Sequence, residues 1–261
     1  MSGPPLFAEK HGQESVTDPA GHAAWVRDAD PDAGLASAAG VVMLYQRRLL
    51  DHARCRYRHR ERPGWARGGL FLLDHGAHTV AVCGGFGLGA PAAALVMEQL
   101  IALGARRFVT VGTAAGMQPE LGPGSLVLCE SALRDEGTSH HYLPPRRTAA
   151  AALDLTDRLG RLLPSAVRGM VWTTDAPYRE TRSEVAAYKK ALVLAADMEA
   201  AALFTVAEHR QVEAAAIVAV ADSLVRPRPR EDRPETQKAL QRALAAAVQA
   251  LTAGLRHSVG P

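Results

Sequence analysis

Cys83–Leu100 reads CGGFGLGAPAAALVMEQL: an apolar run ends in a glycine cluster and passes at once into an alanine-rich helical pattern. Pro91 falls in the first helical turn, where proline removes no intrahelical hydrogen bond. The residues leading into it, TVAVCGG from Thr79, are short, apolar and closed by glycine, the pattern of a buried strand. Strand, glycine turn and helix form the unit of an α/β fold, and the unit recurs. GVVML (40–44), LFLLD (70–74), RFVTVGT (107–113), SLVLCES (125–131), GMVWTTD (169–175) and AAAIVAVAD (214–222) are further strand candidates. Pro91–Leu103, Arg182–Lys190, Met198–His209 and Glu235–Leu255 carry helical patterns. The expected architecture is a single α/β domain over residues 38–257, with a mixed, mostly parallel central sheet flanked by helices on both faces. In such sheets ligands lie outside the carboxyl ends of the strands. Residues 1–37, rich in Gly, Pro, Asp, Ala and Ser without a sustained period, are expected to form a flexible or irregular arm. RPRPREDRPE, Arg226–Glu235, reads as a charged connector, or a lid, before the last helix.

With 48% apolar residues among 261, the chain can bury a sizeable core. Acids and bases nearly balance at a formal net charge of +3, so no nucleic-acid or membrane partner is implied. Three widely spaced cysteines, Cys55, Cys83 and Cys129, fit neither a disulfide framework nor a paired-thiol zinc site, and imply a reducing cytoplasm. No apolar run approaches the ~20 residues needed to cross a bilayer.

Several strand ends carry residues suited to chemistry. Gly85 and Gly87 follow one strand and Thr113 follows the next, so these turns share one edge of a parallel sheet and suit an anion. Tight strand–helix packing explains the same glycines. Gly85-Phe86-Gly87 with Ala90 is a permissive dinucleotide fingerprint, but no acidic residue stands about twenty positions on, which speaks against a nicotinamide or flavin cofactor. Tyr178, in the loop APYRE, can stack on a planar ligand or simply cap the surface. Asp222 ends a strand, poised either for proton transfer or for helix capping. LAADMEAAALF, 194–204, sets Asp197 and Glu199 two residues apart inside an otherwise apolar run.

Taken together, VMEQLIALGARRFVTVGTAAGMQPELGPGSLVLCESALRDEGTSHHYLPP, TTDAPYRE, DMEAAALF and VADSL resemble the nucleoside phosphorylase family of hexameric purine nucleoside phosphorylases and uridine phosphorylases, in order and approximate spacing, from about Gly40 to Leu255. The resemblance implies that Glu199 accepts hydrogen bonds from the sugar 2′ and 3′ hydroxyls, Met198 packs on the sugar and Asp197 supports the pocket. It implies further that Pro177 and Tyr178 cover the base, Thr113 contacts phosphate and Asp222 protonates N7 of a leaving purine. Uridine-specific members generally lack that aspartate. The reaction implied is phosphorolysis to free base and ribose 1-phosphate, purine nucleosides favoured over uridine, with no cofactor or metal beyond phosphate as co-substrate. A dimer-based homo-oligomer, up to a hexamer, with sites completed by a neighbour, belongs to the same expectation.

The phosphate residues depart from the family pattern. VVMLYQRRLLDHA has no Gly-Asp-Pro-x-Arg loop, although gap-free matching puts Arg48 at the loop arginine, and Thr110 stands where a second arginine is usual. Threonine is a poor substitute for a bidentate, charge-assisted contact. Replacement arginines are available in Arg47, Arg48 and the run Arg54, Arg56, Arg58, Arg60 and Arg62, whose period of two places them on one face of a strand. Alternatively water replaces phosphate and the chain is a nucleoside hydrolase, or it binds nucleosides without turnover. His140 and His141 lack a third metal ligand and read as loop or interface residues.

Overall fold

The computed structural model describes residue 5, residues 7–226 and residues 233–253. Among the described residues ten strands form one mixed sheet: β1 (Val41–Leu44), β2 (His59–Glu61), β3 (Gly69–His75), β4 (His78–Gly84), β5 (Arg107–Gly116), β6 (Leu126–Asp135), β7 (Thr148–Ala150), β8 (Val167–Thr174), β9 (Ala195–Asp197) and β10 (Glu213–Ser223). The helices are α1 (Pro19–Ala29), α2 (Arg47–Arg56), α3 (Ala90–Ala102), α4 (Leu153–Leu162), α5 (Arg182–Lys190), α6 (Ala200–Arg210) and α7 (Pro234–Thr252). No described helix is long and apolar enough to cross a membrane.

The expected α/β architecture is present, with β4, β1, β5 and β10 paired in parallel through its centre. Antiparallel pairings bring in β2, β3 and β7. The path also closes: β5 pairs with β10, β10 with β6, β6 with β8, β8 with β9, and β9 again with the tip of β5. Successive β1 side chains alternate between two cores, Val41 and Met43 on one face, Val42 and Leu44 on the other. Helices α1, α3 and α6 bury their apolar residues in the first core, and α2, α4 and α7 in the second.

Two stretches differ from the sequence reading. Within the arm expected to be irregular, Pro19–Ala29 is helical, because Asp18 accepts from the Ala20 N–H as N-cap, Pro19 starts the turn, and Ala23 and Val26 are fully buried. The arginine run is not one strand. It is split between the end of α2 and β2, because Leu49, Leu50 and Ala53 pull a helix onto the second core. Its arginines meet acids: Arg54 pairs with Glu61 at 2.8 Å, Arg60 with Asp74 at 3.0 Å and Arg62 with Asp30 at 3.9 Å. Of the Arg226–Glu235 connector, residues 227–232 lie outside the described residues, as does the end of the expected last helix.

Candidate active site

The carboxyl ends of β1, β5, β8, β9 and β10 surround a cleft of about 470 Å³. Thr113, Pro177, Tyr178, Asp197, Met198, Glu199 and Asp222 all line it, so most of the sequence candidates converge. A second cleft, about 420 Å³, lies beneath the N-terminal segment among Lys10, His22, His141 and Arg210 and contains none of them.

The two carboxylates of the 194–204 stretch do different things. Asp197 is fully engaged: it accepts from the Thr173 hydroxyl at 2.6 Å and from the backbone N–H of Glu199 and Ala200 at 3.1 and 2.7 Å. It thereby satisfies donors left open where α6 begins. Burial pushes its carboxyl above the ordinary aspartate range, against the pull of those hydrogen bonds. Glu199 is 8% exposed, and its Oε1 accepts from the Gly89 N–H at 2.7 Å. Burial, then the charge of Asp197, pushes Glu199 up to about 7.

That hydrogen bond revises the reading of the glycine turn. Gly85, at φ +75°, sits against Gly68 and Leu50 and does not line the cleft. The turn supplies the Gly89 N–H at the start of α3, and the anion it meets is the protein's own Glu199 carboxylate. Gly89 has φ +91°, which L side chains avoid, so glycine suits this N-cap.

Arg48 likewise stays off the lining. α2 begins immediately after β1, which puts Arg48 on an exposed helix surface and leaves Tyr45 and Gln46 at the strand end. Tyr45 packs its ring on Gly112, where a Cβ would lie 3.0 Å away, and makes an edge contact with Phe86 at 5.6 Å. Its hydroxyl accepts from the Thr110 hydroxyl at 2.9 Å, so the threonine at the usual arginine position is tied to an aromatic neighbour. The Gln46 amide donates to the Thr113 hydroxyl at 3.1 Å, while its buried carbonyl oxygen has no hydrogen-bond partner.

At the other end of the cleft, the short turn Pro177–Arg179 carries Tyr178, 99% exposed, and is followed by Glu180. Thr181 and Glu184 form a capping box that fixes the start of α5 and hence this turn. Glu180 lines the cleft and was not singled out from sequence; the pattern cannot choose between it and its neighbour Arg179. Burial, then the charges of Asp222 and Glu184, pushes it up to about 7. Asp222 is exposed, beside a register shift in β10 that leaves Ala221 without a β5 partner. Such a bulge re-aims the residues beside it.

Among the described residues no group of three or more histidines, cysteines or acids could hold a metal ion. His140 and His141 lie in a 3-10 turn, with Lys10 Nζ 2.9 Å from His141 Nδ1.

A sequence profile described as the phosphorylase superfamily matches residues 47–256. Uridine phosphorylase of Treponema pallidum is 34% identical over 149 residues, 51% of this chain and 58% of that protein. Guanosine phosphorylase of Halorubrum lacusprofundi is 32% identical over 143 residues, 53% and 59% respectively. The matches thus span less than two thirds of each relative. A crystal structure of uridine phosphorylase from Vibrio fischeri superposes with a TM-score of 0.73 at 25% identity, covering 82% of this chain and 92% of that one.

Proposed function

This chain belongs to the phosphorylase superfamily, and on that premise we propose that it is an enzyme cleaving the N-glycosidic bond of a nucleoside with phosphate, purine nucleosides being favoured. The observation that carries the proposal is Glu199, a carboxylate in the cleft whose Oε1 is held by the Gly89 N–H. An ionised carboxylate accepts from two hydroxyls at once, which suits the vicinal diol of a ribose, with Met198 against the sugar.

In this reading the base lies between Tyr178, Pro177 and Asp222. Phosphate oxygen bonds to C1′ as the bond from C1′ to the base nitrogen breaks, through an oxocarbenium-like state that the Glu199 side of the cleft stabilises. Asp222 gives a proton to N7 of the departing purine, which leaves neutral. Thr113 and Gln46 receive the phosphate, and Asp197 holds the α6 terminus that positions Glu199. A homo-oligomer with the cleft completed by a neighbour belongs to the proposal; Leu88, 65% exposed at the cleft, is an apolar rim that a neighbour would cover.

Hydrolysis is a second reading favoured by a specific observation. The lining includes Glu180, Asp197, Glu199 and Asp222 and, among the described residues, no lysine or arginine. Such a cleft repels an anion more than it repels water. Release of base from inosine, adenosine and uridine, with and without phosphate, separates the two. Ribose 1-phosphate formed only with phosphate supports the first; free ribose formed equally without it rejects that reading in favour of the second.

A further inference from the structure

The second cleft, about 420 Å³, lies away from the first, between the segment running from Ala8 to Asp18 on one side and the later turns of α3 and the end of α6 on the other. Residues 12–18 of that segment are exposed. Two hydrogen bonds fasten it to the 3-10 turn Ser139–His141: Lys10 Nζ to His141 Nδ1 at 2.9 Å, and His11 Nε2 to the His140 carbonyl at 2.8 Å. We propose that the segment is a strap released by acid, with His141 as its catch: it lies down while His141 is neutral and lifts when His141 takes a proton. Lifting it opens the second cleft onto Leu95 and Tyr142.

The two bonds respond differently to protons. A lysine ammonium has donors and no acceptor, so His141 Nδ1 is the acceptor of the first bond, and an imidazole whose Nδ1 accepts is neutral. Protonation turns that nitrogen into a donor and sets one cation 2.9 Å from another. His11 contributes an N–H, which both forms of the ring possess, so the second bond survives protonation. The same holds for His140, whose Nε2 donates to the Arg134 carbonyl at 3.2 Å. The acid response of the fastening therefore lies in His141.

The groups around His141 resist its charging. Burial, then Lys10 and His11 on the strap and His140 in its own turn, hold the imidazole below the ordinary 6.5. Glu136 pulls the other way and least, its two oxygens accepting from the Ser139 N–H at 2.9 and 3.2 Å. Other acids along the cleft are engaged: Glu98 pairs with Arg210 at 2.8 Å, and Asp18 caps α1. His209, edge-on to Tyr142 at 5.6 Å, and His22 line the same cleft and are also held down, by burial and then by Arg210 and Arg67 respectively. Nε2 of His22 is buried with no hydrogen-bond partner among the described residues, so a proton there gains no acceptor. The docked strap thus binds protons less readily than the lifted one. Docking is full above pH 6.5 and is lost as pH falls from there through the lowered value of His141.

The test is amide hydrogen exchange of the whole protein at pH 8 and pH 5, corrected for the intrinsic pH dependence of exchange. The Lys10 and Gln13 amides are bonded within the strap's own 3-10 turn, and so short a helix does not stand once it is lifted into water. Their protection should fall about fivefold or more at pH 5 while that of β5 is kept. His141→Gln supplies a side-chain oxygen that accepts from Lys10 and does not titrate, so the fall should be abolished or sharply reduced. Lys10→Ala removes the same bond from the strap's side, where no core is disturbed, and should show the acid level of protection already at pH 8. Equal wild-type protection at both pH values overturns the proposal, as does a fall shared by β5, which would mean general unfolding. An undiminished fall in folded His141→Gln also overturns it. Should that variant not fold, Lys10→Ala decides: full protection at pH 8 overturns the proposal, and loss upholds it.

Discussion

Glu199→Gln should strengthen the folded protein and weaken its grip on nucleosides. Glutamine keeps an Oε1 to accept from the Gly89 N–H, so the link between α3 and α6 survives. It loses the charge that burial and Asp197 oppose. The wild-type carboxyl rises from 4.5 to about 7 on folding, so its folded form binds the proton more tightly. Stability from this group is therefore full below pH 4.5 and is lost as pH rises through about 7. At about 1.36 kcal/mol per pH unit the loss comes to about 3 kcal/mol. The variant escapes it, and at about 2–4 °C per kcal/mol its Tm at pH 8 should exceed the wild type's by roughly 6–12 °C, with the gap narrowing towards pH 5. Nucleoside binding moves the other way: trading charged for neutral hydrogen bonds to the sugar diol costs about 1.5–3 kcal/mol, a roughly 10- to 150-fold weaker Kd. Wild-type affinity should also climb with pH through about 7, and the variant's should not. Paired thermal melts and calorimetric titrations at pH 5 and pH 8 read both effects. Equal melting temperatures at pH 8, or unchanged affinity, would refute the reasoning.

Asp222→Asn should lower kcat/KM on purine nucleosides by about 10²- to 10⁴-fold while changing uridine cleavage little; equal losses on both would remove the proton-donor role. Gly89→Ala meets no close atom, its nearest neighbour being Met198 Cε at 3.9 Å, but forces an L residue to φ +91°, ψ 161°, an essentially glycine-only conformation, at about 1–3 kcal/mol. A lower Tm together with weaker nucleoside binding is expected, and a lower Tm with unaltered binding would show that the N–H does not serve Glu199.

The sequence revealed the fold through its long apolar runs, and each of the seven became part of a strand. It did not reveal β7 and β9, because three residues carry too little period to stand out, while of the strand period read in the arginine run only His59–Glu61 became a strand, β2. α1 did carry a start signal in Asp18-Pro19, masked by the surrounding Gly, Asp and Pro. α2 was hidden because alternating arginines drew attention to a strand period, while the helical spacing of Leu49, Leu50 and Ala53 was short. In the cleft, residues at the tips of long strands were legible, since a strand end fixes position closely. Tyr45 and Gln46 were not, because only the start of α2 decides which residues stay at the β1 tip and which, like Arg48, are carried outward.

The closed path of strands has a consequence for motion. β5 is bonded to β10 along its length, to β1 over Phe108–Val111 and to β9 at Ala115 and Gly116, so it is flanked on both sides except over Gly112–Ala114, where β10 alone holds it. Hydrogen–deuterium exchange there should require global opening rather than fraying. Thr113 is paired with Ala219 of β10 on this strand, whereas Tyr178 stands on a solvent-facing turn. Isotope labelling should therefore divide the cleft into a floor that stays protonated for the life of the fold and a rim that exchanges early.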